Sequence, residues 1–130
     1  MTSSATAGPS DAPRERYGVT ERYWTWRGRT IRYTCAGESG EAVVLVHGFG
    51  GNADHWRRNV NALSARGRRV FAIDLLGYGY SDKPDPMRPE LEQNEIYCFE
   101  TWGAQICDFV DDVVGAPAFV ACNSVGGVAG

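Results

Sequence analysis

The segment Val120-Ala121-Cys122-Asn123-Ser124-Val125-Gly126-Gly127 carries an apolar run into a serine flanked by small residues. The run from Ala118 to Cys122 reads as a strand, and Val125-Gly126-Gly127 opens what reads as a helix. The spacing small-x-Ser-x-Gly is that of a serine perched on a sharp strand-to-helix turn. Strained backbone at such a turn lifts the hydroxyl clear of the sheet. The residues two before and two after must be small, or their side chains collide across the turn. Gly126 meets that demand fully, and Cys122 meets it less well than a glycine would. An ordinary glycine turn after a strand produces the same string, so the rest of the chain must decide.

Composition sets the frame. A chain of 130 residues is long enough for one domain with a real core. With 43% hydrophobic and 22% charged residues it is globular in composition. A net charge of −3 gives no reason to expect a nucleic-acid partner. No apolar run approaches the ~20 residues that span a bilayer, so a peripheral membrane association is the most the sequence allows. The cysteines Cys35, Cys98, Cys107 and Cys122 form no CxxC pair and no metal-type spacing with histidine. They read as reduced structural residues, and no metal or organic cofactor is implied.

Residues 1–20 are read as a disordered N-terminal tail, rich in Ser, Thr, Ala and Pro up to about Arg16. The tail lacks a secretory core, and a transit-peptide remnant and a plain floppy terminus both stay open. Residues 21–130 are read as the structured part. Tyr23–Arg27, Gly28-Arg29 and Thr30–Cys35 form an expected β-hairpin whose two-residue turn begins with the glycine. Ala42–Val46 is continuously apolar, as a strand covered on both faces should be, and His47-Gly48-Phe49-Gly50-Gly51 follows it. Asp54–Arg66 is an expected helix with Trp56, Val60 and Leu63 on one face, stopped by Gly67. Arg69–Asp74 is another buried strand, and it empties into the glycine-rich loop Leu75–Pro84. A second helix is expected over Phe99–Val114, with Trp102, Ile106, Phe109 and Val113 as its apolar stripe and Gly115-Ala116-Pro117 as its stop. Trp56, Trp102 and Phe109 are expected in the core.

Strand, helix, strand, helix, strand with helices of this length implies a three-layer α/β fold around a mostly parallel sheet. Ligands in such sheets bind beyond the C-terminal strand ends. Gly48, Gly50 and Gly51, then Gly77 and Gly79, then Gly126 and Gly127 lie in the loops at those ends. Glycine there permits tight turns and close approach of backbone to a ligand.

His47-Gly48-Phe49-Gly50, the Asp74–Pro84 loop and the turn at Ser124 together resemble the α/β-hydrolase superfamily, over residues 21–130. Val46–Gly50, Asp54–Arg57, Asp74–Pro84 and Cys122–Gly127 further resemble the chlorophyll dephytylases and pheophytinases of plant and algal plastids. That resemblance implies a serine hydrolase acting on a hydrophobic ester, with the phytyl ester of chlorophyll or pheophytin as the substrate and the chloroplast as the location. Ser124 would be the nucleophile, which needs a histidine base oriented by a carboxylate. The backbone N–H groups of Val125 and Phe49 would hold the oxyanion, with His47, Gly48, Asn123 and Gly126 in support. His47 precedes the nucleophile, whereas the base in this fold follows it, so His47 is expected to shape its loop instead. Asp74 also precedes the serine and is expected to fix its loop by hydrogen bonds. His55, beside Trp56, is expected at the surface or packing against the loop.

After Ser124 the sequence runs six residues, with neither an acid nor a histidine. The chain therefore reads as the N-terminal half of an α/β-hydrolase, ending just after its nucleophile turn, and inactive alone. The strand before Ser124 would then have an open apolar edge, a template for association. Two alternatives stay open: another ester specificity, of the lipase, lactonase or thioesterase kind, and a non-catalytic module.

Overall fold

The computed structural model describes residues 14–16, 18–85 and 97–123. A six-stranded sheet carries the chain. Its strands are β1 (Arg14–Arg16), β2 (Val19–Trp26), β3 (Arg29–Ala36), β4 (Ala42–Val46), β5 (Arg69–Ile73) and β6 (Ala118–Cys122), in the spatial order β1-β2-β3-β5-β4-β6. The first three strands and the β3–β5 junction are antiparallel, and β5, β4 and β6 are parallel. Antiparallel pairing thus takes a larger share of the sheet than the strand–helix alternation implies. In the parallel part Val46 stands opposite both Ile73 and Cys122. Three strands therefore end level, and the loops that follow β4 and β5 leave from one edge beside Asn123.

The continuous apolar runs of β4 and β5 have the expected cause. Val44, Val46, Phe71 and Ile73 face one side, where they pack with Trp102, Ile106 and Phe109 of helix α2 (Phe99–Phe109). Leu45, Val70 and Ala72 face the other side, where they meet Val60 of helix α1 (Arg57–Ser64). A period of two with both faces covered leaves no polar position. Burying Val60 alone contributes about 1.5–3 kcal/mol.

Several expected boundaries move. Strand β1 and the start of β2 fall within residues 1–20, because Arg14–Arg16 pair with Val19–Glu21, a cross-strand gain that composition does not reveal. The hairpin turn is Arg27-Gly28, one residue earlier than expected. Both residues have positive φ, 50° and 75°, the type I′ geometry that matches strand twist. The first helix begins as a 3₁₀ turn, Ala53–Trp56, capped by the Asn52 side chain accepting the Asp54 N–H at 2.8 Å, and becomes α-helical at Arg57. Helix α2 widens into a π turn over Val110–Val114. It ends at Gly115 (φ 70°), whose N–H donates to the Val110 carbonyl.

Candidate active site

The loop after β4 is built on His47, which is fully buried. Its Nε2 accepts the Leu75 N–H at 3.0 Å, and its Nδ1 lies 2.8 Å from the Gly48 carbonyl. Nδ1 must therefore carry the proton and donate it to Gly48, which assigns the neutral tautomer from the network. Burial pushes the pKa of His47 below its ordinary value, outweighing the Gly48 carbonyl and the charge of Asp74. Both ring nitrogens are occupied, so His47 fastens two loops and has no lone pair for a substrate proton. Beyond it the chain turns back, with the Gly51 N–H on the Gly48 carbonyl at 3.0 Å. Phe49 is left at the tip with its ring largely exposed. Among the described residues no acceptor takes up the Phe49 N–H.

The loop after β5 is held by Asp74, fully buried. Its Oδ1 accepts the Ala53 N–H at 2.6 Å and its Oδ2 accepts the Tyr80 N–H at 2.8 Å. The loop-fixing role expected of this residue is what the geometry shows. Burial raises the pKa of Asp74, although those two N–H groups, Arg32 and His47 all pull it down. Ser81 donates its hydroxyl to the Asp74 carbonyl at 2.6 Å and accepts the Arg32 N–H at 2.9 Å. Asp82 accepts the Thr30 N–H at 2.7 Å. Asp74, Ser81 and Asp82 thus fold the Asp74–Pro84 loop onto β3 and onto itself.

Between the two loops lies a cleft of about 510 Å³, lined by Phe49, Gly50, Gly77, Tyr78, Tyr97 and Trp102. Tyr78 packs edge-on against His47 and Phe49, with ring centres 4.9 and 6.3 Å apart. Trp102 is buried, as expected, and also forms part of the cleft wall. Its indole N–H donates to the Leu76 carbonyl at 2.9 Å, while Gln105 accepts the Leu76 N–H at 3.0 Å. Helix α2 therefore props the second loop from below. Phe109 is fully buried, and Trp56 is half-buried with the exposed His55 ring edge-on at 5.3 Å.

The Asn123 N–H donates to the Val46 carbonyl at 3.2 Å, continuing the β4–β6 ladder by one bond. This brings the residue before Ser124 alongside His47 and the start of the Phe49 loop. Ser124, Val125 and Gly126 lie outside the described residues. Among the described residues no group of three or more His, Cys, Asp or Glu is placed to hold a metal ion.

Sequence reasoning missed one cluster. Arg32 of β3 is fully buried, with Nε 2.9 Å from Glu21 Oε2, Nη2 2.7 Å from Asp54 Oδ1 and Nη1 3.5 Å from Asp74. Burial alone would lower its pKa, but the three carboxylates overcome burial and raise it. The faint signal was a charged residue in the middle of a strand otherwise bound for the core.

The Alpha/beta hydrolase family profile matches residues 43–130. The chain belongs to that family. Among curated relatives, this α/β-hydrolase is 37% identical over 101 residues to the "dihydrolipoyllysine-residue acetyltransferase component of acetoin cleaving system" of Pseudomonas putida, covering 77% of this chain and 25% of the relative. It is 30% identical over 115 residues to the chloroplastic pheophytinase of Arabidopsis thaliana, covering 72% and 24%. A crystal structure of epoxide hydrolase VrEH1 from Vigna radiata superposes with a TM-score of 0.74 at 26% identity, over 85% of this chain and 33% of that one. The α/β-hydrolase chain spans about a quarter of the length of these curated relatives.

Proposed function

We propose that this α/β-hydrolase chain supplies the nucleophile and oxyanion donors of a serine hydrolase acting on a large hydrophobic ester. The phytyl ester of chlorophyll or pheophytin is the substrate proposed, with a plastid location, following the likeness to the chloroplastic pheophytinase. The observation that carries the reading is the juxtaposition of Asn123, the Phe49 loop and the aromatic cleft at one sheet edge. Ser124 follows Asn123 directly. Its hydroxyl would attack the ester carbonyl, forming the C–O bond of a tetrahedral intermediate as its proton passes to a base. The Phe49 and Val125 N–H groups would take the charge on the carbonyl oxygen, His47, Gly48, Asn123 and Gly126 setting the backbone around them. One such donor is worth about 10²–10³ in turnover. Of the two histidines in the sequence, His47 is fully hydrogen-bonded and His55 sits on the outer turn beside Trp56. Neither suits the role of base, so the base must come from elsewhere.

Relatives of differing activity within one family show that the fold alone does not fix the substrate. Lipase-, lactonase- or thioesterase-like specificity is the second reading, and the aromatic cleft favours a bulky apolar group under either. Fluorophosphonate labelling at neutral pH of the chain together with whatever segment or subunit supplies the base, with Ser124→Ala as control, tests the nucleophile. Labelling at Ser124 alone is expected. With the base present, a folded protein that stays unlabelled removes the serine-hydrolase reading. Release of phytol from pheophytin, measured beside short aliphatic esters, then separates the two specificities.

A further inference from the structure

We infer that Arg32 is a positioning residue for this site, setting the spacing of the two loops that border the cleft. Its guanidinium gathers three carboxylates from three segments: Glu21 on β2, Asp54 on the 3₁₀ turn after β4, and Asp74 at the end of β5. Each of the two cleft loops is closed by Asp74. Oδ1 holds Ala53, where the Phe49 loop ends, and Oδ2 holds Tyr80, where the Tyr78 loop ends. The distance between the loops therefore runs through one carboxylate, and Arg32 faces both of its oxygens at 3.5 Å. The backbone repeats the link, since the Asp74 N–H donates to the Arg32 carbonyl at 2.9 Å.

A packing role alone does not account for this arrangement. One buried cation among three carboxylates leaves a formal excess of negative charge, and apolar residues of similar size often fill such a space at no loss of stability. The planar fork of arginine reaches separate acceptors in fixed directions, which the single ammonium of lysine does not. What the cluster supplies is registry between loops. For catalysis this rests on the proposed function, because the Phe49 N–H matters only if an oxyanion forms there.

The test is amide hydrogen exchange by NMR on the chain carrying Arg32→Lys, with Asp74→Asn as a second variant. Asparagine lowers the negative excess and so protects folding. It keeps the acceptor for Ala53 but offers a donor toward the Tyr80 N–H. In Arg32→Lys, exchange at Ala53 and Tyr80 is expected to rise about tenfold or more, with Val44 and Phe71 at the sheet centre unchanged. In Asp74→Asn, Tyr80 alone should respond in this way. A uniform rise across the sheet, or no change at Ala53 and Tyr80, overturns the inference. The rate of fluorophosphonate labelling in Arg32→Lys is read separately. If the wild type is not labelled even with its base supplied, the proposed function fails while the exchange result still decides the role of Arg32.

Discussion

At the end of β4 a neutral histidine accepts a backbone N–H in a place closed to water, and this makes it a titrating element of stability. Burial holds the folded pKa of His47 below 6.5. As pH falls through 6.5 the unfolded chain takes up a proton that the fold refuses, so the His47 contribution is complete above 6.5 and is lost toward the lower folded value. The slope is at most about 1.4 kcal/mol per pH unit. Asp74 acts with the opposite sign. Its folded pKa lies above 3.8, so its contribution is present below that value and is lost as pH rises through the folded one. Comparing variants isolates the histidine. Urea midpoints at pH 7.5 and 5.5 should fall with acid in the wild type and change less in His47→Gln; equal changes would remove His47 as the source. His47 was legible because a short motif surrounds it. Arg32 was not, because its three partners lie 11, 22 and 42 residues away and no local pattern announces them.

Loops and helix ends show what spacing encodes and what only packing decides. The apolar stripes of α1 and α2 were readable from i, i+4 and i+7 positions. The 3₁₀ start and the π end were not, since they answer to the Asn52 cap and to the stop at Gly115. The turn at Arg27-Gly28 defeated the expectation that glycine comes first, since arginine accepts a positive φ there. Glycines that look alike in sequence differ in the same way. Gly79 and Gly115 both have positive φ, 54° and 70°, yet a Cβ on Gly79 would overlap the Asp74 carboxylate, and one on Gly115 would meet nothing within 4 Å. Gly115→Ala should therefore cost only the backbone term, about 1 kcal/mol. Gly79→Ala adds displacement of the carboxylate that holds Ala53 and Tyr80, for about 2–3 kcal/mol in all. Denaturant unfolding of the two variants checks the order, and equal costs would mean that Asp74 yields freely.

For the molecule as a whole, the sequence pattern was enough to give three layers and the one edge from which the glycine-rich loops after β4 and β5 leave, because strand period and glycine position are local signals. Strand order was not contained in them. The sheet places β6 at its end, hydrogen-bonded among the described residues to β4 alone. Within β6, Phe119 is 64% exposed and Val120 39%, in a strand of wholly apolar composition. Exposed apolar surface beside unpaired backbone donors and acceptors favours pairing with another chain. The 130-residue polypeptide is therefore expected to self-associate through β6 as concentration rises. Phe119→Lys puts a charge on that surface without touching the cleft or the Arg32 cluster, and charged residues are how natural edge strands resist such pairing. Sedimentation velocity across a concentration series should show the wild type shifting to larger species and the lysine variant shifting less. A wild type that stays monomeric throughout and melts cooperatively would show that the edge is protected. A variant that associates as readily as the wild type would place the contact away from β6.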